Sequence, residues 1–182
     1  MNEVMYLPLK VRPKESYHEA PRNYGANRSH GKRLHAGCDL YAPVGTGVYA
    51  VADGTVLDSY YFYLGTWAVE VDHGWCVVRY GEVQKKLAPG IRKGARIKAG
   101  DQIGQIGRLE GLKVSMLHFE MYTGKATGRL TQQGKNKYQR REDLMDPTGH
   151  LDRAMLLGGE SSFAPAPLKW INARGFMSCV PA

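Results

Sequence analysis

Between residues 41 and 122 the chain is divided into short apolar runs by turn-forming residues. They come too close together to leave room for helices of ordinary length. Trp67, Val69 and Val71 alternate with Ala68, Glu70 and Asp72, the period of a strand with one buried face. His73-Gly74 supplies a turn, and Trp75-Cys-Val-Val-Arg-Tyr80 runs back as the next strand. Upstream, Val48–Val51 and Thr55–Leu57 flank Asp53-Gly54, which predicts a hairpin. From Ile91 to Gly107 aliphatic residues recur between glycines at turn positions. Met116–Tyr122 is a further strand, with Met116, His118 and Glu120 on one face and Leu117, Phe119 and Met121 towards the core. One short helix is expected over Leu151–Leu157, after Asp146-Pro147. The expected fold is all-β: a compact antiparallel sheet or sandwich core with a groove, an extended N-terminal arm and an irregular C-terminal tail.

The 182 residues, 43% apolar and 23% charged, suffice for one self-sufficient core with extensions. Pro8, Pro13 and Pro21 mark residues 1–28 as the arm, and residues 29–152 form the domain proper. Residues 124–142, rich in Gly, Lys, Gln and Arg, read as a long exposed loop. The tail, 153–182, has linker composition and ends in an apolar stretch with Trp170, Ile171 and Phe176. No apolar run approaches the ~18 residues of a membrane span, and the first residues lack the order of a secretory signal. Cys38, Cys76 and Cys179 make no disulfide framework and no CxxC pair, which argues against a thiolate zinc site. The net charge of +8 suits anionic partners such as nucleic acid, wall polymers or lipid headgroups. The basic residues are scattered and carry no nucleic-acid signature, so no nucleic-acid partner is expected.

His35 and Asp39 are both good zinc ligands. In a straight strand their Cα atoms would lie ~13 Å apart, so sharing one ion requires a bend, which Gly37 can supply. A third ligand from the distant strand, His118, would leave zinc an open position, the arrangement of catalytic sites. By spacing alone, ordinary packed or surface histidines remain the alternative.

The segment Arg33-Leu-His35-Ala-Gly-Cys-Asp39-Leu-Tyr-Ala-Pro-Val-Gly-Thr, with Val48-Tyr-Ala-Val-Ala-Asp-Gly-Thr-Val after it, resembles the metal-site segment of lysostaphin/LytM-type zinc metallopeptidases. Val71-Asp-His-Gly, Lys98-Ala-Gly-Asp-Gln-Ile-Gly-Gln-Ile-Gly, Leu117-His-Phe-Glu120 and Asp146-Pro147 resemble later segments of that family, in the family's order, over roughly residues 29–152. The resemblance implies a grooved antiparallel β core and zinc held by His35, Asp39 and His118. It implies hydrolysis of amide bonds in the stem peptides or cross-bridges of bacterial peptidoglycan, in the periplasm or cell wall. The missing signal suggests export by a specialised secretion system or a phage particle, or a chain trimmed from a longer one.

Two positions depart from the family pattern. Met116 stands where the second motif, His-x-His, has its first histidine. Glu82, in Tyr80-Gly81-Glu82-Val83, stands where a Tyr-x-His-Leu segment has another. Glu82 is therefore the candidate for proton transfer, the role glutamate plays in HExxH proteases. The alternative is a catalytically degenerate, zinc-containing module that binds peptidoglycan or regulates. Arg33 and Arg79 are candidates to meet stem-peptide carboxylates, and Tyr61, in the run Tyr60-Tyr-Phe-Tyr63, to line the groove. Glu120 either orients a ligand or lies at the surface, and His30 is near enough in sequence to approach the groove. His73 reads as structural. Lys98–Gly107 also resembles hairpins of lipoyl and biotinyl carrier domains, but lacks their modified-lysine context.

Overall fold

The structure, a computed structural model, describes residues 4–158. In chain order its strands are β1 (Asn27–Arg28), β2 (Arg33–Leu34), β3 (Cys38–Tyr41), β4 (Gly47–Tyr49), β5 (Gly54–Tyr63), β6 (Thr66–Asp72), β7 (Val77–Val83), β8 (Arg96–Ile97), β9 (Gln102–Gln105), β10 (Met116–Tyr122) and β11 (Leu144–Met145). The helix α1 (Thr148–Arg153) follows them. The architecture is all-β, as the alternation predicts.

One seven-stranded sheet dominates, in the order β11-β10-β7-β6-β5-β8, with β3 also paired to β10. All its pairings are antiparallel. The strand β10 pairs with three others. One of its edges meets β7, and the other meets β3 and then β11. Because β3 and β10 run in this register, Asp39 lies directly opposite His118.

The sheet has one apolar and one largely polar face. Leu40, Val69, Val71, Val78, Tyr80, Leu117, Phe119 and Met121 join the core from one side, together with Val48, Ile103 and Ile106. Each large aliphatic side chain so buried contributes about 1.5–3 kcal/mol. Within the stretch read as an arm, Leu7 and Leu9 are fully buried in that same core. On the other face Glu70, Arg79 and Glu120 form a row of direct cross-strand neighbours over β6, β7 and β10.

Three local expectations are corrected. Asp53-Gly54 does not close a hairpin between 48–51 and 55–57, because β4 pairs with β9 while β5 pairs with β6 and β8. The Asp53 carboxylate instead accepts hydrogen bonds from the Ala99 amide and the Lys98 ammonium, holding the 98–101 turn. The helix covers 148–153 rather than 151–157, since Ala154 is already extended and Met155 bridges to Tyr6. The 124–142 segment is not wholly exposed: Leu130, Arg140 and Arg141 are buried, and Thr131 bridges Arg140. Cys38 is a free thiol and Cys76 is buried, whereas Trp170, Ile171, Phe176 and Cys179 lie outside the described residues.

Candidate metal centre

The bend needed to bring His35 to Asp39 is present. A Cβ on Gly37 would fall 2.2 Å from the Phe119 carbonyl oxygen, so only glycine lets the chain enter β3 this close to β10. His35 then reaches back over the sheet while Asp39 faces His118. The ring Nε2 of His35 stands 3.0 Å from Asp39 Oδ1 and 3.1 Å from His118 Nδ1, and His118 Nδ1 stands 2.9 Å from the same Asp39 oxygen. All three residues are buried, and their ligand atoms converge on one point.

The outer nitrogens say what that point requires. His35 Nδ1 lies 2.8 Å from the Asn23 carbonyl oxygen, which can only accept, so the ring donates there. His118 Nε2 likewise donates to Glu120 Oε1 at 2.8 Å. In neutral imidazoles the two inner nitrogens are therefore bare lone pairs, facing a carboxylate oxygen. Three acceptors in mutual contact need a cation among them, either a proton or a metal ion. The donor set of two imidazoles and one carboxylate is one that zinc takes, and both histidines are oriented through their outer nitrogens, as zinc-ligating histidines are.

Ionisation follows this geometry. Burial would raise the Asp39 carboxyl, but hydrogen bonds from His118 and His35 outweigh it and hold the group well below the usual carboxylate range. Burial works to lower His118, yet Asp39 and Glu120 together raise it to about 9, so without metal the point holds a proton. His35 is lowered, chiefly by burial.

Behind His118 lies a buried ionic cluster. Glu120 Oε1 accepts from His118 and from Arg140 Nε at 2.9 Å, while Oε2 accepts from Arg79 at 2.8 Å and the Tyr122 hydroxyl at 2.5 Å. Arg79 also donates to Glu70 Oε1 at 3.0 Å. Burial would raise Glu120, but the two guanidiniums hold it well below the usual range. Glu120 therefore orients the His118 ring and is not a surface group.

This corrects the expectation for Arg79. Its guanidinium is fully buried against Glu70 and Glu120 and does not border the groove, because its register position puts it between those two carboxylates. Sequence reasoning missed Arg140 as well, since nothing in a Lys- and Arg-rich loop distinguishes the residue that turns inward.

A groove of about 750 Å³ opens over His35, Asp39 and His118. Tyr61, Tyr63, Leu112 and Val114 contribute apolar surface, whereas Arg28, Arg33 and Gln133 contribute polar groups. Tyr61 is exposed and meets Trp67 edge-on at 5.3 Å. The Arg33 side chain lines the groove and makes no hydrogen bond or ion pair among the described residues. Met116 also borders it, as does Glu82. His30 is exposed at the β1–β2 tip and does not border it. His73 is buried away from it, between the Tyr80 hydroxyl and the Asp53 carbonyl.

Glu82 carries three separate departures from comfort. Its backbone φ is +65°, a left-handed conformation that disfavours side chains. Its Oε2 is buried with no hydrogen-bond partner. Burial pushes its carboxyl up to about 7, against a smaller lowering by His118. Strain of this kind gathers at working sites.

Known proteins place the chain. The model of peptidase family M23 matches residues 33–133. The chain belongs to peptidase family M23. Over 89 residues it is 33% identical to peptidoglycan DD-endopeptidase ShyC of Vibrio cholerae, covering 48% of this chain and 20% of that protein. Peptidoglycan DD-endopeptidase ShyA of the same organism is 31% identical over 115 residues, covering 60% and 26%. The M23 chain thus spans about a fifth to a quarter of the length of these relatives. The antimicrobial peptidase lysostaphin from Staphylococcus simulans shares the fold, with a TM-score of 0.61 at 19% identity over 92% of this chain and 61% of that one. So does LytU, with a TM-score of 0.57 at 22% identity over 76% and 87%.

Proposed function

We propose that this M23 protein is a zinc peptidase that hydrolyses amide bonds in bacterial peptidoglycan, acting in the periplasm or cell wall. The observation that carries the reading is the meeting of His35 Nε2, Asp39 Oδ1 and His118 Nδ1, three acceptors within 3.1 Å of one another. Their relatives ShyC and ShyA are named as peptidoglycan DD-endopeptidases, which supports the substrate class. Zinc held there would act as a Lewis acid on a scissile carbonyl and make water more acidic at neutral pH.

The chain's own residues supply the rest. Glu82, on the groove and with one oxygen free of hydrogen bonds, takes the proton from the attacking water and returns it to the leaving nitrogen. Glu120 keeps the His118 ring in the tautomer that turns Nδ1 inward. Arg33 and Tyr61 meet the substrate, the first through its carboxylates and the second through apolar and ring surfaces. The net charge of +8 draws the protein to an anionic wall.

Purified peptidoglycan incubated with zinc-loaded protein, with His118→Ala alongside, tests the proposal by mass spectrometry. Defined fragments from the native protein alone are expected, and their new ends identify the bond. Met116 favours a second reading, since its thioether borders the groove where it can neither donate nor move a proton. Peptidoglycan binding without fragment release, by folded and zinc-bound protein, would make the chain a wall-binding or regulatory module.

A further inference from the structure

Amide hydrolysis builds negative charge on the carbonyl oxygen, and donors fixed where that charge appears lower the barrier most. Several groups bordering the groove cannot serve. Met116 presents a thioether, Phe62 a hydrocarbon ring, Glu82 and Asp39 carboxyl oxygens. The Tyr60 hydroxyl donates a hydrogen bond to Glu70, and Arg140 is committed to Glu120 and the Gln139 carbonyl.

Arg28 is different. Among the described residues it is the only Lys or Arg whose side chain bonds to the ligand triad, its NH2 3.1 Å from Asp39 Oδ2. That is the carboxylate oxygen the two histidines leave alone, so the ion pair does not compete with the convergence on Oδ1. The pair uses one of the guanidinium's N–H groups. The others make no hydrogen bond to any described residue, and the side chain, 21% exposed, borders the groove. The β1–β2 hairpin sets Arg28 directly opposite Arg33, two cations side by side, which is unfavourable until an oxygen-rich group lies against them. Arg28 lines the same groove as Glu82 and the three ligands.

We propose that Arg28 is a catalytic residue of this site, its guanidinium donating hydrogen bonds to the carbonyl oxygen of the scissile amide as that oxygen becomes negative. The inference rests on the hydrolase reading above. The water oxygen bonds to the carbonyl carbon, and the water's proton passes to Glu82. The C–N bond then breaks, the proton moves to the departing nitrogen, and a carboxylic acid and an amine leave. Arg28 remains protonated throughout, stabilising charge without moving a proton.

The test uses the zinc-loaded chain with Arg28→Ala and Arg28→Lys. Four quantities are read: kcat and KM on a defined muropeptide, zinc content, affinity for a phosphinic peptide whose anionic oxygen imitates the tetrahedral species, and recovery by free guanidinium ion. For R28A, kcat should fall about 10²–10³-fold while KM and zinc content hold. Phosphinic-peptide affinity should fall in parallel, and millimolar guanidinium should restore part of kcat; R28K should lie between. Unchanged kcat overturns the inference. Loss of zinc in step with kcat also overturns it, making Arg28 a positioning residue for Asp39. If the native protein cleaves no wall substrate, the hydrolase reading itself fails and the Arg28 role falls with it, an outcome distinct from native and R28A cleaving alike.

Discussion

The Nε2 of His35 and the Nδ1 of His118 face each other at 3.1 Å, each with its opposite ring nitrogen spent on an acceptor. Two imidazoles so arranged repel unless a cation lies between them, and the charge state of the site is thereby tied to what it binds.

Zinc titration should report that tie. With His118 at about 9, the metal-free site holds a proton at neutral pH that zinc must displace. Zinc affinity should rise about tenfold per pH unit until pH approaches 9 and then level. Calorimetry in buffers of different ionisation enthalpy should register about one proton released per ion. In metal-free protein the His118 ion pairs contribute full stability below its ordinary value of 6.5, and that contribution is lost as pH rises through about 9. Melting curves from pH 6 to 10 without zinc check this.

Removing either Asp39 or His118 as a ligand should abolish zinc retention. D39A and H118A, purified with zinc and dialysed, should carry almost no metal by elemental analysis. Undiminished metal in both would remove the proposed centre.

Glu82→Gln should trade activity against stability. Removing the carboxyl proposed to transfer the proton should lower kcat by about 10²–10⁴-fold with zinc retained. A carboxyl raised to about 7 by burial binds its proton more readily folded than unfolded, so it weakens the fold increasingly from its ordinary 4.5 up to 7. Metal-free E82Q should therefore outlast the native protein to denaturant at pH 8, with the gap closing at pH 5. A gap of the same size at both values would mean that packing, not charge, is responsible.

Glu120→Gln keeps the shape and removes the charge that Arg79 and Arg140 both meet. Leaving buried guanidiniums short of an anion should cost about 3–5 kcal/mol of stability. Loss of the carboxylate behind His118 should weaken zinc binding about 10–100-fold. Chemical denaturation and zinc titration measure the two separately, and unchanged zinc affinity would detach the cluster from the site.

Gly37→Ala should destabilise by more than the ~1–3 kcal/mol of ordinary overpacking, because the atom it meets at 2.2 Å is a backbone carbonyl that cannot rotate aside. Denaturation midpoints of G37A against native protein decide it.

How much of this the sequence held depends on whether a neighbour or a distant partner decided the outcome. The face shared by Met116, His118 and Glu120 follows from strand period alone, and the structure keeps it. Gly37 announced a bend, though the carbonyl that demands it lies on β10. Arg79 was misplaced for the opposite reason. Local pattern treats a charge as outward-facing, and only the register of three strands brings two carboxylates to bury it. The Asp53-Gly54 pair has hairpin chemistry, yet the β9 strand outcompetes the local partner for β4. Arg28 lies outside the motif segments, and only the fold brings it to Asp39.

Tyr6 and Met155 lie side by side in a parallel bridge, with the Leu7 amide donating to the Met155 carbonyl at 2.8 Å and the Met155 amide to the Met5 carbonyl at 2.9 Å. Neither residue borders the groove. The first and last described segments are therefore stapled to each other at one seam, remote from the cleft.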